Sequence, residues 1–178
     1  MRTVFFDVDT QIDFLFPAGA LYVPGAETIL PAIARLNQYA ASNGIPLIST
    51  ADAHAEDDPE FAQYPAHCVR GTVGQLKPQA TLVAGQRIVE KQTLDCFACP
   101  ALEPVLRELA ADRYVVYGVV TEICVRYAAL GLLKTGKQVE LVTDAVRHLN
   151  ERGRDGFLAE LQAAGGALTT VERVKVAP

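Results

Sequence analysis

Residues 114–133 read YVVYGVVTEICVRYAALGLL, and the two halves of this stretch have different periods. Residues 114–120 are a short run of β-branched and aromatic side chains, the composition of a strand buried on both faces of a parallel sheet. In the second half Val125, Ala129, Leu132 and Leu133 recur at helical spacing, with Glu122 and Arg126 among them and Lys134 just beyond. At the junction Thr121 is suited to an N-cap, and Cys124 follows three positions later. A strand running straight into a helix is the repeating unit of an α/β fold. It places Cys124 in the first helical turn, beyond the C-terminal edge of a central strand. A thiol there feels the positive end of the helix dipole, and the unpaired N–H groups of the turn can hold an oxyanion. This points to a nucleophile, although a lone cysteine reads as readily as a small apolar filler.

The flanking sequence repeats the unit in both directions. Upstream, residues 3–9 (TVFFDVD) form an apolar strand ending in carboxylates, and residues 27–42 form an amphipathic helix closed by Asn43-Gly44. Residues 46–51 are a second buried strand followed by Asp52, residues 86–91 a short strand ending in Lys91, and residues 101–111 a helix. Downstream come a strand over 138–143 ending at Asp144, a helix over 151–164 stopped by Gly165-Gly166, and a last strand over 167–171. The alternation predicts a three-layer α/β/α domain, with a central, mostly parallel sheet of about six strands and right-handed crossovers. The length of 178 residues suits one domain.

Half of the residues are hydrophobic, a fifth are charged, and the net charge is −5. With no Lys/Arg cluster, this excludes a phosphate-backbone binder, so no nucleic-acid partner is expected. No apolar run reaches the roughly 20 residues that cross a bilayer, and Met1 leads directly into a strand, so no membrane partner and a cytoplasmic location are expected. Cys68, Cys96, Cys99 and Cys124 do not make a disulfide framework in a chain of this size. The C-x-x-C of Cys96 and Cys99 has no second pair and is read as packing, and His148 as a surface or helix-entry residue.

Asp9, Lys91 and Cys124 each fall at the C-terminal end of an expected strand or just after it, where open α/β sheets hold ligands. Their chemistry is complementary. A carboxylate can take a thiol proton and return it to a departing amine, while an ammonium holds the charged forms in place. Asp52-Ala53-His54 puts a carboxylate and an imidazole on one side of an extended chain, with Glu60 and His67 following on a long loop. Two histidines and two carboxylates suit a divalent ion such as zinc, iron(II) or manganese. With Glu56, Asp57 and Asp58 alongside, a solvated acidic loop is the equal alternative.

These motifs together resemble the isochorismatase-like cysteine hydrolases, and the nicotinamidases most closely. Residues 9–14 (DTQIDF) and 17–21 (PAGAL) resemble the family's D-x-Q-x-D-F and G-x-L turn. Residues 64–72 (YPAHCVRGT) resemble its P-x-H-C-x-x-G-T segment, and residues 118–125 (GVVTEICV) resemble its nucleophile motif. The resemblance spans nearly the whole chain and implies the isochorismatase-like hydrolase fold. It implies a triad of Asp9 as base and acid, Lys91 as electrostatic support and Cys124 as nucleophile. It further implies one divalent metal ion (zinc first, with iron or manganese as alternatives) on Asp52, His54, Glu60 and His67, and a cis peptide between Val119 and Val120. The oxyanion hole would use the N–H groups of Val120 and Cys124, and a small amide, nicotinamide first, would sit in a pocket including Phe14 and Tyr64. Relatives commonly carry tryptophan where Tyr64 stands, and this chain has none. A homo-oligomer is implied as well. The competing readings are an amidase of the same family acting on another small amide or ureido compound, and an inactive metal-binding protein on the same fold.

Overall fold

A computed structural model describes residues 1–176. Its single sheet has the order β3-β2-β1-β4-β5-β6, from β1 (Thr3–Val8), β2 (Leu47–Asp52), β3 (Arg87–Lys91), β4 (Arg113–Val119), β5 (Gln138–Arg147) and β6 (Ala167–Thr169). Every neighbouring pair is parallel. The six-stranded α/β sheet expected from the alternation is therefore present.

The central strands are apolar on both faces because each face meets a different helix layer. Val4, Phe6 and Val8 of β1 pack with Leu109 of α3 (Leu102–Leu109), Leu132 of α4 (Arg126–Lys134) and Leu161 of α5 (Glu151–Ala163). Phe5, on the other face, packs with Phe14 of α1 (Ile12–Leu15), Ile33 and Leu36 of α2 (Leu30–Ser42) and Val174 of α6 (Val171–Val176). Burial of these side chains, at about 1.5–3 kcal/mol each, holds the three layers together. Among the described residues no helix is long and apolar enough to cross a membrane.

Five local expectations are corrected. The helix expected over 27–42 begins as a 3-10 turn, Ala26–Ile29, before α2, whose first turn contains Pro31. Cys124 lies not in the first turn of an α-helix but in a π-helical turn, Thr121–Val125, that precedes α4. Thr121 makes no side-chain cap, and its hydroxyl is buried without a partner. The strand expected to stop at 143 continues to Arg147, with a register shift opposite Val116 and Gly118 and an anchor where Arg147 Nε donates to the Pro24 carbonyl at 2.8 Å. The last strand ends at Thr169, because the Asp144 carboxylate accepts the Val171 N–H at 2.9 Å and α6 starts there.

Candidate active site

The β2–β3 register sets Asp52 beside Lys91, each the last residue of its strand. Asp9 follows β1 at φ +50°, in the left-handed region. The Lys91 ammonium lies 2.9 Å from Asp9 Oδ2 and hydrogen-bonds Asp52 Oδ1. Thr50 donates its hydroxyl to Asp9 Oδ1 at 2.6 Å. Oδ2 is held by charge rather than by a well-aligned hydrogen bond, which leaves it a lone pair able to take a proton.

Cys124 comes from the other side of the sheet's centre and is nearly fully buried. Burial pushes its thiol well above the ordinary range; Lys91 opposes this, while Asp9, within hydrogen-bonding influence, and Asp52 add to it. Burial also raises the Asp9 carboxyl, against Lys91, with Asp52 pushing further upward. For Lys91 burial would lower the pKa, but Asp9, Cys124 and Asp52 outweigh it and hold the ammonium well above the usual range. Burial thus works against ionisation of both Cys124 and Asp9, while the acidic neighbours of Lys91 hold its charge. The peptide between Val119 and Val120 is cis. Just before it, Gly118 (φ +122°) lets β4 touch β1, where a Cβ would lie 2.1 Å from the Val8 carbonyl oxygen.

Beside the trio, Asp52, His54 and His67 bring one ligand atom each within 4.8 Å of one another, and all three are buried. His67 Nδ1 lies 2.8 Å from the Pro65 carbonyl oxygen, which can only accept and so places a hydrogen on Nδ1, and its Nε2 lies 4.0 Å from Asp52 Oδ2. His54 Nδ1 lies 3.0 Å from Asp58 Oδ2, and its buried Nε2 has no hydrogen-bond partner. Burial would lower the His54 pKa, yet Asp52 and Asp58 hold it up at about 9. A field that favours a proton there also favours a metal cation. The donor set and the orphaned Nε2 therefore fit a divalent ion. Glu60 stands outside this three-residue group, with Oε1 3.8 Å from His67 Nε2.

Cys124 of the trio and Asp52 and His67 of the metal-ligand group share one cavity of about 120 Å3, with Asp9, Lys91 and His54 behind its lining. Asp52, Glu60 and His67 line one part, Cys124 and Val120 another, and Phe14 and Tyr64 belong to its wall. Leu94 and Leu149 also line it, and no lysine or arginine does.

Several supporting residues escape the sequence reading. Asp58 sits in an acidic run indistinguishable from a solvated loop. Gln11, visible in the DTQIDF segment, clamps Asp52: its Oε1 accepts the Asp52 N–H at 2.7 Å and its Nε2 donates to the Asp52 carbonyl at 2.8 Å. The Phe61 ring lies 5.3 and 5.6 Å from the two imidazoles, and no pattern marks it. Cys96 is buried and Cys99 half-buried, both as free thiols. His148 is half-buried, 3.5 Å from an Arg154 nitrogen.

Comparison with known proteins agrees with this fold. The family model described as "Isochorismatase domain" matches residues 3–173. A nicotinamidase of Escherichia coli (strain K12) is 28% identical over 198 residues, covering 92% of each chain. The crystal structure of a pyrazinamidase of Pyrococcus horikoshii in complex with zinc superposes with a TM-score of 0.89 at 29% identity, over 96% of this chain and 99% of that one. A structure of PnC1 from L. infantum in complex with nicotinate superposes with a TM-score of 0.83 at 26% identity, over 96% and 93% of the two chains.

Proposed function

The chain belongs to the isochorismatase family, and within it we propose a metal-dependent nicotinamidase that hydrolyses nicotinamide to nicotinate and ammonia through a thioester on Cys124. The observation that supports this reading is the placement of Lys91 against both Asp9 and Asp52, with the candidate nucleophile Cys124 and the candidate metal ligands Asp52 and His67 lining one cavity.

The steps follow from the charges. Asp9 takes the thiol proton as the Cys124 sulfur attacks the carboxamide carbon, so the thiolate forms only where it is used. The carbonyl oxygen becomes an oxyanion, received by the N–H groups of Val120 and Cys124. As the C–N bond breaks, Asp9 returns its proton to the leaving nitrogen, which departs as ammonia. Water then loses a proton to Asp9 and adds to the thioester, and the sulfur leaves and is reprotonated. Throughout, Lys91 keeps Asp9 and Asp52 from repelling each other.

Asp52, His54 and His67, with Glu60 beside them, would hold the ion, zinc first. When bound it supplies a Lewis-acid anchor for the pyridine nitrogen. Phe14 and Tyr64 flank the ring. A ureido acid would bring a carboxylate that only the bound ion could receive, since no lysine or arginine lines the cavity while Asp52 and Glu60 do. That balance favours an uncharged amide.

The test is ammonia and nicotinate release from nicotinamide by the purified, metal-loaded protein. Turnover that disappears in Cys124→Ala supports the reading, and turnover that persists there refutes it.

A further inference from the structure

A second buried lysine lies on the far side of the Asp9 turn, and none of the chemical steps above uses it. Lys77 Nζ is 2.9 Å from Asp7 Oδ2, with the side chains 3% and 0% exposed, and it also hydrogen-bonds the Thr10 hydroxyl oxygen. The Asp7 carboxylate is saturated with donors. Thr10 gives its hydroxyl to Oδ1 at 2.7 Å, and Asn37 Nδ2 and Ser49 Oγ reach Oδ2 at 3.0 and 3.2 Å. Tyr117 in turn fixes Asn37, donating to its Oδ1 at 2.6 Å. A buried ion pair adds little net stability over an apolar replacement, so its place in the fold asks for another reason.

That place brackets Asp9. Asp7 is two residues before it, Thr10 is the next residue, and between them the chain makes its left-handed turn at Asp9. A non-glycine residue in that region is strained by about 1 kcal/mol or more and persists when its surroundings over-determine it. On the near side Thr50 and Lys91 hold the Asp9 carboxylate. On the far side Lys77 and Asp7 grip Thr10. Lys77 also ends a segment zipped onto the turn: Ile12 N–H donates to the Leu76 carbonyl at 2.9 Å, Asp13 N–H to the Gly74 carbonyl at 3.0 Å, and Gln11 Nε2 to the Gln75 carbonyl at 2.7 Å.

We propose that Lys77 and Asp7, acting through the hydroxyl of Thr10, are positioning residues for Asp9. Together they hold the left-handed turn that aims the Asp9 carboxylate at Lys91 and Cys124. The inference rests on the reading of Asp9 as the base, and it adds a brace of two residues that flank Asp9 and a lysine 70 residues from Asp7.

The test compares Thr10→Val, which keeps the branched shape and leaves Lys77 and Asp7 paired, with Thr10→Ser, which keeps the hydroxyl. Two quantities are read on the full-length, metal-loaded protein: kcat and KM for nicotinamide, and the rate at which iodoacetamide alkylates Cys124 at fixed pH, located by peptide mass mapping. The brace predicts that Thr10→Val lowers kcat about 10- to 100-fold with KM little changed, the scale expected when a reacting group shifts by an ångström. It also predicts slower alkylation of Cys124, with Thr10→Ser restoring both. The double variant Asp7→Asn/Lys77→Met, which leaves no buried charge unpaired, gives the same loss and serves if Thr10→Val does not fold. A Thr10→Val protein that melts earlier but keeps kcat and alkylation rate overturns the proposal. A wild type that releases no ammonia while Thr10→Val still slows alkylation overturns the nicotinamidase reading and supports the brace.

Discussion

The ammonium of Lys91 lies 2.9 Å from Asp9 Oδ2 and hydrogen-bonds Asp52 Oδ1, with all three side chains at most 3% exposed. One cation therefore neutralises a carboxylate facing the candidate nucleophile and another facing the candidate metal ion. Neither half of the site is electrostatically independent of the other.

Lys91→Met leaves two buried carboxylates without their cation. Breaking such a pair costs about 3–5 kcal/mol, so denaturant unfolding should show a large loss of stability. The remaining activity should also change its pH dependence. Asp9 works as a base only when ionised, so activity is full above its folded pKa and is lost as pH falls through it. Burial already raises that pKa and Lys91 opposes the rise. Without Lys91 the acid limb of kcat/KM should move to higher pH.

Asp58→Asn removes the carboxylate 3.0 Å from His54 Nδ1 and leaves the cavity walls in place. Loss of an outer partner of a metal-binding histidine costs about 10- to 100-fold in metal affinity. Titration calorimetry with zinc should show that loss, and excess metal should restore turnover.

Gly74→Ala tests how the loop bearing His67 is held. Asp13 accepts the Cys68 N–H at 2.7 Å and the Ala20 N–H at 2.9 Å, and a Cβ on Gly74 would lie 2.2 Å from Asp13 Oδ2. Displacing the carboxylate strands two N–H groups, at about 1–3 kcal/mol where buried. Thermal unfolding should register the cost, and the purified protein should carry less metal.

Apart from the proposed ion, no lysine or arginine lines the cavity, and this predicts discrimination by charge. Nicotinamide and pyrazinamide should be hydrolysed with higher kcat/KM than N-carbamoyl amino acids, whose carboxylate would compete for the one bound ion. Equal rates on both classes would reject this account of the pocket.

The strand ends bearing Asp9, Asp52 and Lys91 were legible because each apolar run stops on a charged residue, and the parallel sheet gathers such ends at one edge. Cys124 was legible as a residue just beyond a strand, but not its π-helical turn, since apolar spacing does not separate that turn from an α-helix. The continuation of β5 was missed because residues 144–147 (DAVR) lack a strand's apolar run, and Arg147 finds its anchor in Pro24, 123 residues away. The pairing of Asp7 with Lys77 spans 70 residues and leaves no local pattern at all. What stayed hidden is mostly polar and long-range, decided by which side chains burial brings face to face.

The most direct measurement is to quench the reaction with nicotinamide during turnover and map the modified peptides by mass spectrometry. The thioester mechanism predicts a nicotinoyl group on Cys124 that appears with the first ammonia released and disappears once nicotinamide is exhausted. Nicotinate formed with Cys124 unmodified throughout, or with the acyl group on another residue, would contradict it.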